Sequence, residues 1–393
     1  MPCISCSSAL NKEKFNLGKQ TKCNSFFKNK AEYNKLKKFR IAIGSCKKCS
    51  LIQVLRPINY RDLIPKYSWM TNNEEDSYHE NYIKHLLKKK ILKKNFKILG
   101  VSNFDKTYLK ILRANNFKNI KTINLRKDLN VLEKFSHRQE VIQNYLSEKN
   151  IKNFTKINGK FDLIVCSKLL EHTQNIKSLM NFFKGIMKEN SLILIDVPDS
   201  KKSLEQGNVS MIWEEHISYF TPKTLHNTLS INGFKKKFSK IFFFKQENNL
   251  VFLCKKNLKK GYLYNEQKLL PIFKKKTNII KGKLIRTLKN LNKNNFINVI
   301  YGAGHNSIAF INFLDLSSLI SYIVYDDPRK KNFKVTSNKI SVKSFNYLKQ
   351  KNKKFAFFLG TSIKSENKIK KTVSQIQKFK LFSLYPDSKL FFK

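Results

Sequence analysis

The sequence predicts an α/β protein built from three successive units, and three observations carry that prediction. Residues 161–199 read as a buried strand, a loop, an amphipathic helix and a second buried strand, as in an open parallel sheet. Two Cys-x-x-Cys pairs occur within the N-terminal segment. A further strand, glycine turn and helix begin near residue 296. We expect units at residues 1–85, 86–258 and 259–393.

The composition predicts a globular protein. Its high positive charge has two interpretations, nucleic-acid binding and compositional drift. The net charge is +51, with 78 Lys and Arg against 27 Asp and Glu. Arg, the preferred residue for bidentate phosphate and guanine contacts, is scarce, and the lysines are spread along every segment. This favours compositional drift over nucleic-acid binding, and the charge can also attract an anionic substrate.

The chain lacks long apolar stretches and a basic-then-apolar N-terminus, so we expect no membrane span and no secretion. The expected location is the cytoplasm, with reduced thiols. Nothing in the sequence sets the oligomeric state.

The two Cys-x-x-Cys pairs predict a structural zinc site. Cys3 and Cys6 form one pair and Cys46 and Cys49 the other, and each pair can place two thiolates on one tight turn. Two such turns close a tetrahedral Zn²⁺ site. Disulfides would require an oxidising compartment, and a redox pair would not need a second pair. Cys23, between the pairs, is expected to be a spare thiol.

Several segments resemble the sugar C-methyltransferases that use S-adenosylmethionine (SAM). Residues 213–225, WEEHISYFTPKTL, resemble the family pattern Y-H-E-H-(L/I)-S-Y-F-(S/T)-P-x-T-L. Residues 46–53 resemble the second half of the family's zinc-binding domain, and residues 161–199 resemble the late core of class I methyltransferases. The resemblance implies a class I SAM methyltransferase (Rossmann-like) core, an N-terminal zinc-binding unit and a C-terminal Rossmann-like domain.

The resemblance assigns the catalytic candidates. His216 matches the family's general base and Glu215 the acid beside it, while Trp213 replaces a Tyr. Methylation of carbon requires a carbanion beside a ketone, and an imidazole with a pKa near neutrality suits the removal of that proton. The alternative is that these residues form an exposed loop before a helix that begins at Thr221-Pro222. His172, which follows Glu171 after the first buried strand, is expected to be structural.

Tyr67 is a further catalytic candidate, because the family carries an aromatic hydroxyl that reaches the active site from this segment. The match is loose, with Trp69 in place of a second Tyr and Thr71 in place of Ser. Simple packing is the alternative for Tyr67.

The predicted SAM-binding turn departs from the family pattern LE(I/V)GSNDG. Gly100 stands where the pattern has an acid, and Ser102 and Lys106 stand where it has glycines, whereas Asp105 is retained. Glycines normally let the backbone approach the cofactor. The resemblance therefore implies Gly100, Ser102 and Asp105 as SAM-binding residues in a turn whose affinity the substitutions put in doubt.

Two more SAM-binding candidates follow later strands. Asn124 stands where an acid would hold the ribose hydroxyls, and Ser167 follows the strand at the cofactor edge. Between them, residues 141–147 resemble the family's short strand and the loop after it.

The C-terminal unit resembles the family's C-terminal domain, which carries a GAGxxS turn. Gly302, Gly304 and His305 lie in the matching turn, and Asp326 ends the next strand. The third glycine of a dinucleotide-binding motif is missing, so a dinucleotide site is disfavoured. By resemblance this domain holds the nucleotide of a nucleotide sugar, and the four residues are its candidates.

The sequence thus predicts a SAM-dependent C-methyltransferase whose small-molecule substrate is a nucleotide-linked keto-deoxysugar. Two alternatives stay open. One is a sugar-nucleotide-binding protein on the same fold whose SAM site has lapsed. The other is a nucleic-acid methyltransferase, which only the charge supports.

Overall fold

The computed structural model of the protein describes residues 2–64, 66–67, 76–132, 138–257, 261–336 and 339–392. The predicted matches at Trp69 and Thr71 lie outside these residues. The N-terminal segment forms β1 (Leu10–Gln20), α1 (Lys30–Asn34), β2 (Phe39–Cys46), β3 (Ile52–Val54), α2 (Tyr60–Leu63) and α3 (His79–Lys88).

The central segment alternates strands and helices. They are β4 (Ile98–Gly100), α4 (Lys106–Ala114), β5 (Ile120–Thr122), α5 (Leu125–Leu129), α6 (Gln139–Ile142), α7 (Ile151–Asn158), β6 (Phe161–Ser167), α8 (Ile176–Ile186), β7 (Met187–Asp199), α9 (Lys201–Gln206), β8 (Ser218–Tyr219), α10 (Pro222–Ile231), β9 (Phe234–Phe242) and β10 (Asn248–Lys256).

The C-terminal segment begins with a long helix and continues as a second alternating unit. Its elements are α11 (Leu269–Lys293), β11 (Phe296–Tyr301), α12 (His305–Phe313), β12 (Tyr322–Val324), β13 (Lys334–Val335), β14 (Ile340–Lys343), α13 (Phe345–Lys349), β15 (Lys354–Leu359), α14 (Glu366–Val373) and β16 (Phe379–Ser383).

These strands form three sheets. The central sheet has the order β5-β4-β6-β7-β10-β9, in which β5, β4, β6 and β7 are parallel and β10 and β9 close it as an antiparallel hairpin. The C-terminal sheet has the order β13-β14-β12-β11-β15-β16 and is parallel except for β13. The α/β prediction is confirmed.

The N-terminal sheet shares a strand with the central segment. Its order is β1-β2-β3-β8, so β8, from the predicted His216 segment, pairs with β3 just after the second cysteine pair. One hydrophobic cluster joins N-terminal residues such as Phe15 and Ile41 to C-terminal residues such as Phe273 and Ile308. The N-terminal segment therefore buries its apolar face against the C-terminal unit.

The prediction of a short strand in residues 141–147 is wrong. The chain there forms the helical turn α6 and a following turn, and Val141, Ile142 and Leu146 are all buried. Burial of two consecutive residues and of one four positions later is helical spacing and does not alternate as a strand requires. A smaller difference is that β7 begins at Met187, so residues 188–190 extend the strand and do not end α8.

Across the part of the chain that the structure describes, no helix combines the length and the apolar character that a bilayer crossing requires.

Candidate functional site

The four predicted zinc ligands converge. The sulfur atoms of Cys3, Cys6, Cys46 and Cys49 all lie within 4.8 Å of one another. Cys3 and Cys49 are 3.6 Å apart, Cys6 and Cys46 3.4 Å, and Cys6 and Cys49 3.8 Å. A tetrahedron with Zn–S bonds of about 2.3 Å has edges of roughly 3.8 Å, so this donor set fits a closed structural zinc site.

The two cysteine turns are built alike and are held by the rest of the protein. Ser7 and Ser50, each directly after a cysteine pair, have left-handed φ angles of 60° and 59°. Gln53 accepts a hydrogen bond of 3.0 Å from the Ile4 N–H, which links the turns. Asn227 of α10 donates to the Cys49 carbonyl oxygen at 3.0 Å. The cysteine cluster therefore joins the N-terminal sheet to the helices of the larger units.

His216 lies on a loop that is hydrogen-bonded to the carboxyl edge of the central sheet. The Ile217 N–H donates to the Glu171 carbonyl oxygen at 2.7 Å, and the His172 Nδ1 lies 2.9 Å from the Glu215 carbonyl oxygen. A carbonyl oxygen only accepts, so the His172 Nδ1 carries a proton and Nε2 is the acceptor of the neutral ring. The turn after β6, which contains Glu171 and His172, and the loop that contains His216 are therefore held together by these two contacts.

His216 is surrounded by aromatic rings and one carboxylate. Its ring centroid is 4.9 Å from that of His172 and 5.1 Å from that of Trp213. A carboxylate oxygen of Glu171 lies within 4.8 Å of ring nitrogens of both histidines. Among the described residues the His216 ring has no hydrogen-bond partner. Burial lowers its pKa well below the usual 6.5, helped by His172, His305 and Lys168. The ring is therefore neutral at pH 7.

The two other catalytic candidates, Glu215 and Tyr67, contact the N-terminal and C-terminal segments. The Glu215 carboxylate accepts a hydrogen bond of 3.0 Å from Asn24. The neighbouring Glu214 accepts one of 2.7 Å from the Cys23 N–H, so both carboxylates face the N-terminal segment. Tyr67 packs edge-on against Phe333 with ring centroids 5.4 Å apart. Glu171, which was not a predicted site residue, is the carboxylate placed near His216.

Asp105 holds the predicted SAM-binding turn closed. Its carboxylate accepts hydrogen bonds from the N–H groups of Val101 and Ser102, both at 2.6 Å, and of Ser167 at 2.7 Å. It is fully buried, and burial raises its pKa to about 8 against the opposing effect of these donors. Asp105 thus shapes the turn and ties β4 to β6, because its oxygens are already used.

The substitutions in this turn do not strain it. Ser102, which caps the turn, has extended angles of φ −132° and ψ 176°. Lys106 has helical angles of φ −53° and ψ −42° and is exposed. At Gly100, an added Cβ would lie 2.5 Å from the end of the Leu109 side chain, which would have to shift to admit it. Neither former glycine position needs a left-handed φ, so the turn keeps its shape without them.

Polar groups remain for a cofactor beside this turn. The Asn124 Oδ1 caps α5 by accepting from the Lys127 N–H at 3.1 Å. Its Nδ2 has no hydrogen-bond partner among the described residues and can donate to a ribose hydroxyl. Ser167 is buried, and its hydroxyl lies 3.3 Å from Asp196. The residues present fit SAM, with Asn124 as the one able to contact it, whereas the Ser102 side chain is buried and its hydroxyl accepts from the Phe104 N–H.

A buried polar network around Asp196 lies under the same sheet edge and was not predicted from the sequence. Asp196 on β7 accepts hydrogen bonds from the hydroxyls of Tyr78 at 2.7 Å and Tyr108 at 2.9 Å. His79 Nε2 lies 3.2 Å and the Lys168 ammonium 3.8 Å from its carboxylate. Burial alone would raise the Asp196 pKa, but Lys168, His79 and Tyr78 lower it overall. In the sequence, only the position of Asp196 directly before Val197-Pro198 marks this network.

A cavity of about 430 Å³ opens between the central and C-terminal units beside His216. Both units line it: Ser203, Asn208, Ser210, Met211, Trp213, His216, Phe244, Lys245, Gln246, Glu247, Asn249, His305, Asn306, Ser362, Ile363 and Lys364. The ring of Trp213 stacks on that of His305 with centroids 4.3 Å apart. The structure thus brings together His216 and His305, which lie far apart in the sequence.

The glycine turn of the C-terminal unit leads into this cavity. Gly302 has a φ of 112°, and an added Cβ there would lie 2.7 Å from Thr361. An added Cβ at Gly304 would meet no atom within 4 Å, which leaves open space before the N-terminus of α12. Asp326 accepts a hydrogen bond of 2.8 Å from Tyr301. The turn therefore needs glycine at 302 and leaves room for a ligand at 304.

Comparisons with known proteins find two family models that match this chain. Residues 92–237 match the family model of a methyltransferase domain, and residues 247–380 match that of the C-methyltransferase C-terminal domain. An uncharacterized protein of Methanocaldococcus jannaschii is 30% identical over 190 residues, which are 48% of this chain and 73% of that protein.

Solved structures show weaker similarity. The 1,6-didemethyltoxoflavin-N1-methyltransferase of Burkholderia thailandensis is 11% identical, with a TM-score of 0.34 over 55% of this chain and 96% of that one. A SAM-dependent methyltransferase of Archaeoglobus fulgidus is 16% identical, with a TM-score of 0.30 over 45% of this chain and 94% of that one.

The central unit has the class I SAM methyltransferase fold, with a Rossmann-like unit after it and a four-cysteine cluster before it. The class of protein is thus a SAM-dependent methyltransferase. More narrowly, the chain belongs to the family of SAM-dependent C-methyltransferases.

The lowered pKa of His305 predicts that stability falls in mild acid. Burial lowers the pKa of His305 to about 4, so the folded protein keeps this ring neutral while the unfolded chain binds a proton near pH 6.5. The unfolded state then binds more protons between these values, and the free energy of unfolding falls as the pH falls from 6.5 to 4, by about 1.4 kcal/mol per unit of pKa difference. Denaturant titrations at several pH values measure this fall, and it should be shallower in His305→Gln. Equal slopes in the two proteins would contradict the prediction.

Proposed function

We propose that this protein transfers a methyl group from SAM to the carbon beside the ketone of a nucleotide-linked keto-deoxysugar, with His216 as the general base. One observation carries the proposal. The cavity of about 430 Å³ is lined by the neutral His216 of the methyltransferase unit and by His305 and Asn306, which directly follow the glycine turn of the C-methyltransferase C-terminal unit. A sugar beside His216 can thus have its nucleotide on the other wall.

The chemistry follows from the state of the histidines. A neutral imidazole at His216 can accept the proton from the carbon beside a ketone, and the electron pair of that bond passes to an enolate. The Glu171 carboxylate, within 4.8 Å of the ring nitrogens, stabilises the imidazolium that forms. His172, oriented by the Glu215 carbonyl oxygen, holds the loop in place. When bound, SAM supplies an electrophilic methyl group.

The opposite wall suits an anionic nucleotide. The N-terminus of α12 opens into the cavity at His305 and Asn306, and a helix N-terminus favours negative charge. Lys245 and Lys364 line the same cavity with Glu247, so these three side chains together carry one net positive charge. A diphosphate placed there would leave the sugar to extend towards His216.

The remaining assignments complete the proposal. Asn124 contacts SAM, while Gly100, Ser102, Asp105 and Ser167 shape the turn that holds it. Cys3, Cys6, Cys46 and Cys49 bind a structural Zn²⁺. Residues 1–85, 86–258 and 259–393 serve as zinc-binding, methyltransferase and C-terminal domains, although β8 completes the sheet of the first.

Calorimetric titration with SAM and S-adenosylhomocysteine tests the cofactor site. We expect micromolar binding, because the turn keeps ordinary backbone angles despite its substitutions. Asn124→Asp should tighten SAM binding by up to about tenfold, because a carboxylate accepts from ribose hydroxyls and still caps α5. Methyl transfer is then assayed on a panel of nucleoside-diphosphate keto-deoxysugars.

Failure of this titration would favour the alternative function. Folded, zinc-loaded protein that binds a nucleotide sugar but neither cofactor at millimolar concentration would be a sugar-nucleotide-binding protein with a lapsed SAM site.

A further inference from the structure

Lys168 is a buried cation at the carboxyl edge of the central sheet that the proposed mechanism does not yet use. It directly follows β6, is only 4% exposed, and has a left-handed φ of 51°. This conformation is unfavourable for a residue with a side chain and persists where the surroundings impose it. Its N–H donates to the Asp196 carbonyl oxygen at 2.8 Å, and its ammonium lies 3.8 Å from the Asp196 carboxylate. Asp196 therefore fixes Lys168 at both ends.

The same ammonium orients a side chain of the cavity wall. The Lys168 Nζ donates a hydrogen bond to the Oδ1 of Asn249 on β10. An ammonium has no acceptor, so the Asn249 amide must present its oxygen to Lys168 and its Nδ2 elsewhere. Asn249 is 4% exposed and lines the cavity together with His216. Among the described residues, the Asn249 Nδ2 makes no hydrogen bond, so its two N–H groups are available to a ligand.

Strand geometry places this amide at the reacting end of the sheet. Asn249 pairs with Pro198 at the carboxyl end of β7, and Val251, two residues later, pairs with Asp196. Successive side chains of a strand point to opposite faces, so Asn249 shares the face of Asp196 and Lys168. Asn248 points to the other face, where its Oδ1 accepts from the Phe244 N–H at 3.0 Å.

We propose that Asn249, oriented by Lys168, donates a hydrogen bond to the ketone oxygen of the substrate and stabilises the enolate that forms when His216 removes the neighbouring proton. This inference rests on the proposed function. The proton moves to the His216 imidazole, the electron pair of the C–H bond becomes the enolate double bond, and the carbonyl π pair moves to the oxygen that Asn249 contacts. The carbon then takes the methyl group, and the oxygen returns to a ketone. No oxidant or reductant is needed.

The buried position makes such a donor effective. A fixed amide that faces developing negative charge in a site shielded from water does not have to reorient during the reaction. The Lys168 ammonium polarises the amide from behind, because a hydrogen bond accepted by Oδ1 makes Nδ2 a better donor. In this scheme Asn249 is the catalytic residue and Lys168 is a positioning residue.

The test uses Asn249→Ala and Asn249→Asp in the full-length, zinc-loaded protein. The aspartate variant keeps the shape and the contact with Lys168 but removes the donor. The readouts are kcat and KM for a nucleoside-diphosphate keto-deoxysugar that the wild type methylates, deuterium exchange from solvent into that substrate, and calorimetric affinity for S-adenosylhomocysteine.

We expect kcat and the exchange rate to fall by roughly 10²–10³ in both variants, with cofactor affinity unchanged. Lys168→Gln, which can still donate to Oδ1, should lose less than either. Asn248→Ala is the matched control: the same residue type on the same strand, facing away from Asp196. Because its Oδ1 holds the Phe244 N–H at the cavity wall, we expect this variant to raise KM, with kcat and the exchange rate within about twofold of wild type.

Three results would overturn the inference. Rates within about threefold of wild type in Asn249→Asp would remove the donor role. A loss in Lys168→Gln with none in Asn249→Asp would show that the charge acts without the amide. If the wild type exchanges deuterium into no nucleotide sugar of the panel, the proposed function fails first and the donor role with it. Should Asn249→Ala not fold, the isosteric Asn249→Asp decides.

Discussion

Replacement of His216 by alanine is expected to lower kcat for methyl transfer by roughly 10²–10⁴, the usual contribution of a positioned general base. The reason is the state of the ring: burial, His172, His305 and Lys168 lower its pKa, so nearly all molecules carry a neutral base at pH 7. Deuterium exchange from solvent into the keto-sugar should fall by the same factor, because exchange needs proton removal but no methyl group. Affinity for S-adenosylhomocysteine should not change.

His226→Ala is the matched control for this substitution. His226 lies on α10 near the same loop, but its ring contacts Tyr262 and Tyr264 and it does not line the described cavity. We expect its kcat to stay within about twofold of wild type. If His216→Ala exchanges deuterium as fast as wild type, the base lies elsewhere, and the Nε2 of His172 becomes the next candidate because its other nitrogen is fixed by the Glu215 carbonyl oxygen.

The sequence predicts local features of this protein well. The cysteine spacing places two thiolates on each turn, and because a structural Zn²⁺ takes four ligands, the two pairs are expected to converge, as they do. The strand, helix and strand of residues 161–199 appear with nearly the predicted bounds, because their hydrophobic periods are strong. The short strand expected at residues 141–147 rested on resemblance, without an alternating pattern, and it was wrong.

Features that depend on distant contacts were not predictable. Glu215 is next to His216 in sequence, but it lies in a turn, and its carboxylate contacts Asn24. Glu171 approaches His216 because the Glu171 carbonyl oxygen accepts from the Ile217 N–H. Asn249 reaches the cavity through pairing of β10 with β7. No local sequence pattern predicts these long-range contacts of Glu215, Glu171 and Asn249.

In the predicted SAM-binding turn, the loss of glycines from the family pattern changes the backbone less than the sequence indicates. A glycine matters where φ is positive or another group lies too close for a Cβ. Ser102 and Lys106 meet neither condition, because one is extended and the other is helical and exposed. At Gly100, which replaces an acid, an added Cβ would require the end of the Leu109 side chain to shift. Backbone angles, which the sequence does not contain, decide the outcome.

Loss of the cysteine cluster is expected to have the largest effect on stability. Apparent binding energies of structural zinc in small peptides are on the order of 10–16 kcal/mol, comparable to the whole net stability of a protein. Freshly purified protein should contain one zinc per chain by metal analysis. Cys49→Ala should contain none, and its melting temperature should fall by more than about 10 °C. Cys254→Ala, which removes a buried thiol of β10 that does not belong to the cluster, is the matched control and should keep its zinc.

Zinc loss should also abolish catalysis, although the cluster does not touch the cavity. Only two residues separate Cys49 from β3, whose Ile52 and Gln53 pair with Tyr219 and Ser218 of β8. Those partners follow His216 by two and three positions, and the Tyr219 hydroxyl donates to the His216 carbonyl oxygen at 2.9 Å. A cluster that no longer fixes β3 therefore releases the strand that anchors the base. Metal-free protein that kept full activity and its melting temperature would contradict this coupling, whereas restoration of both by added zinc would show that the cluster holds His216 in place through the sheet.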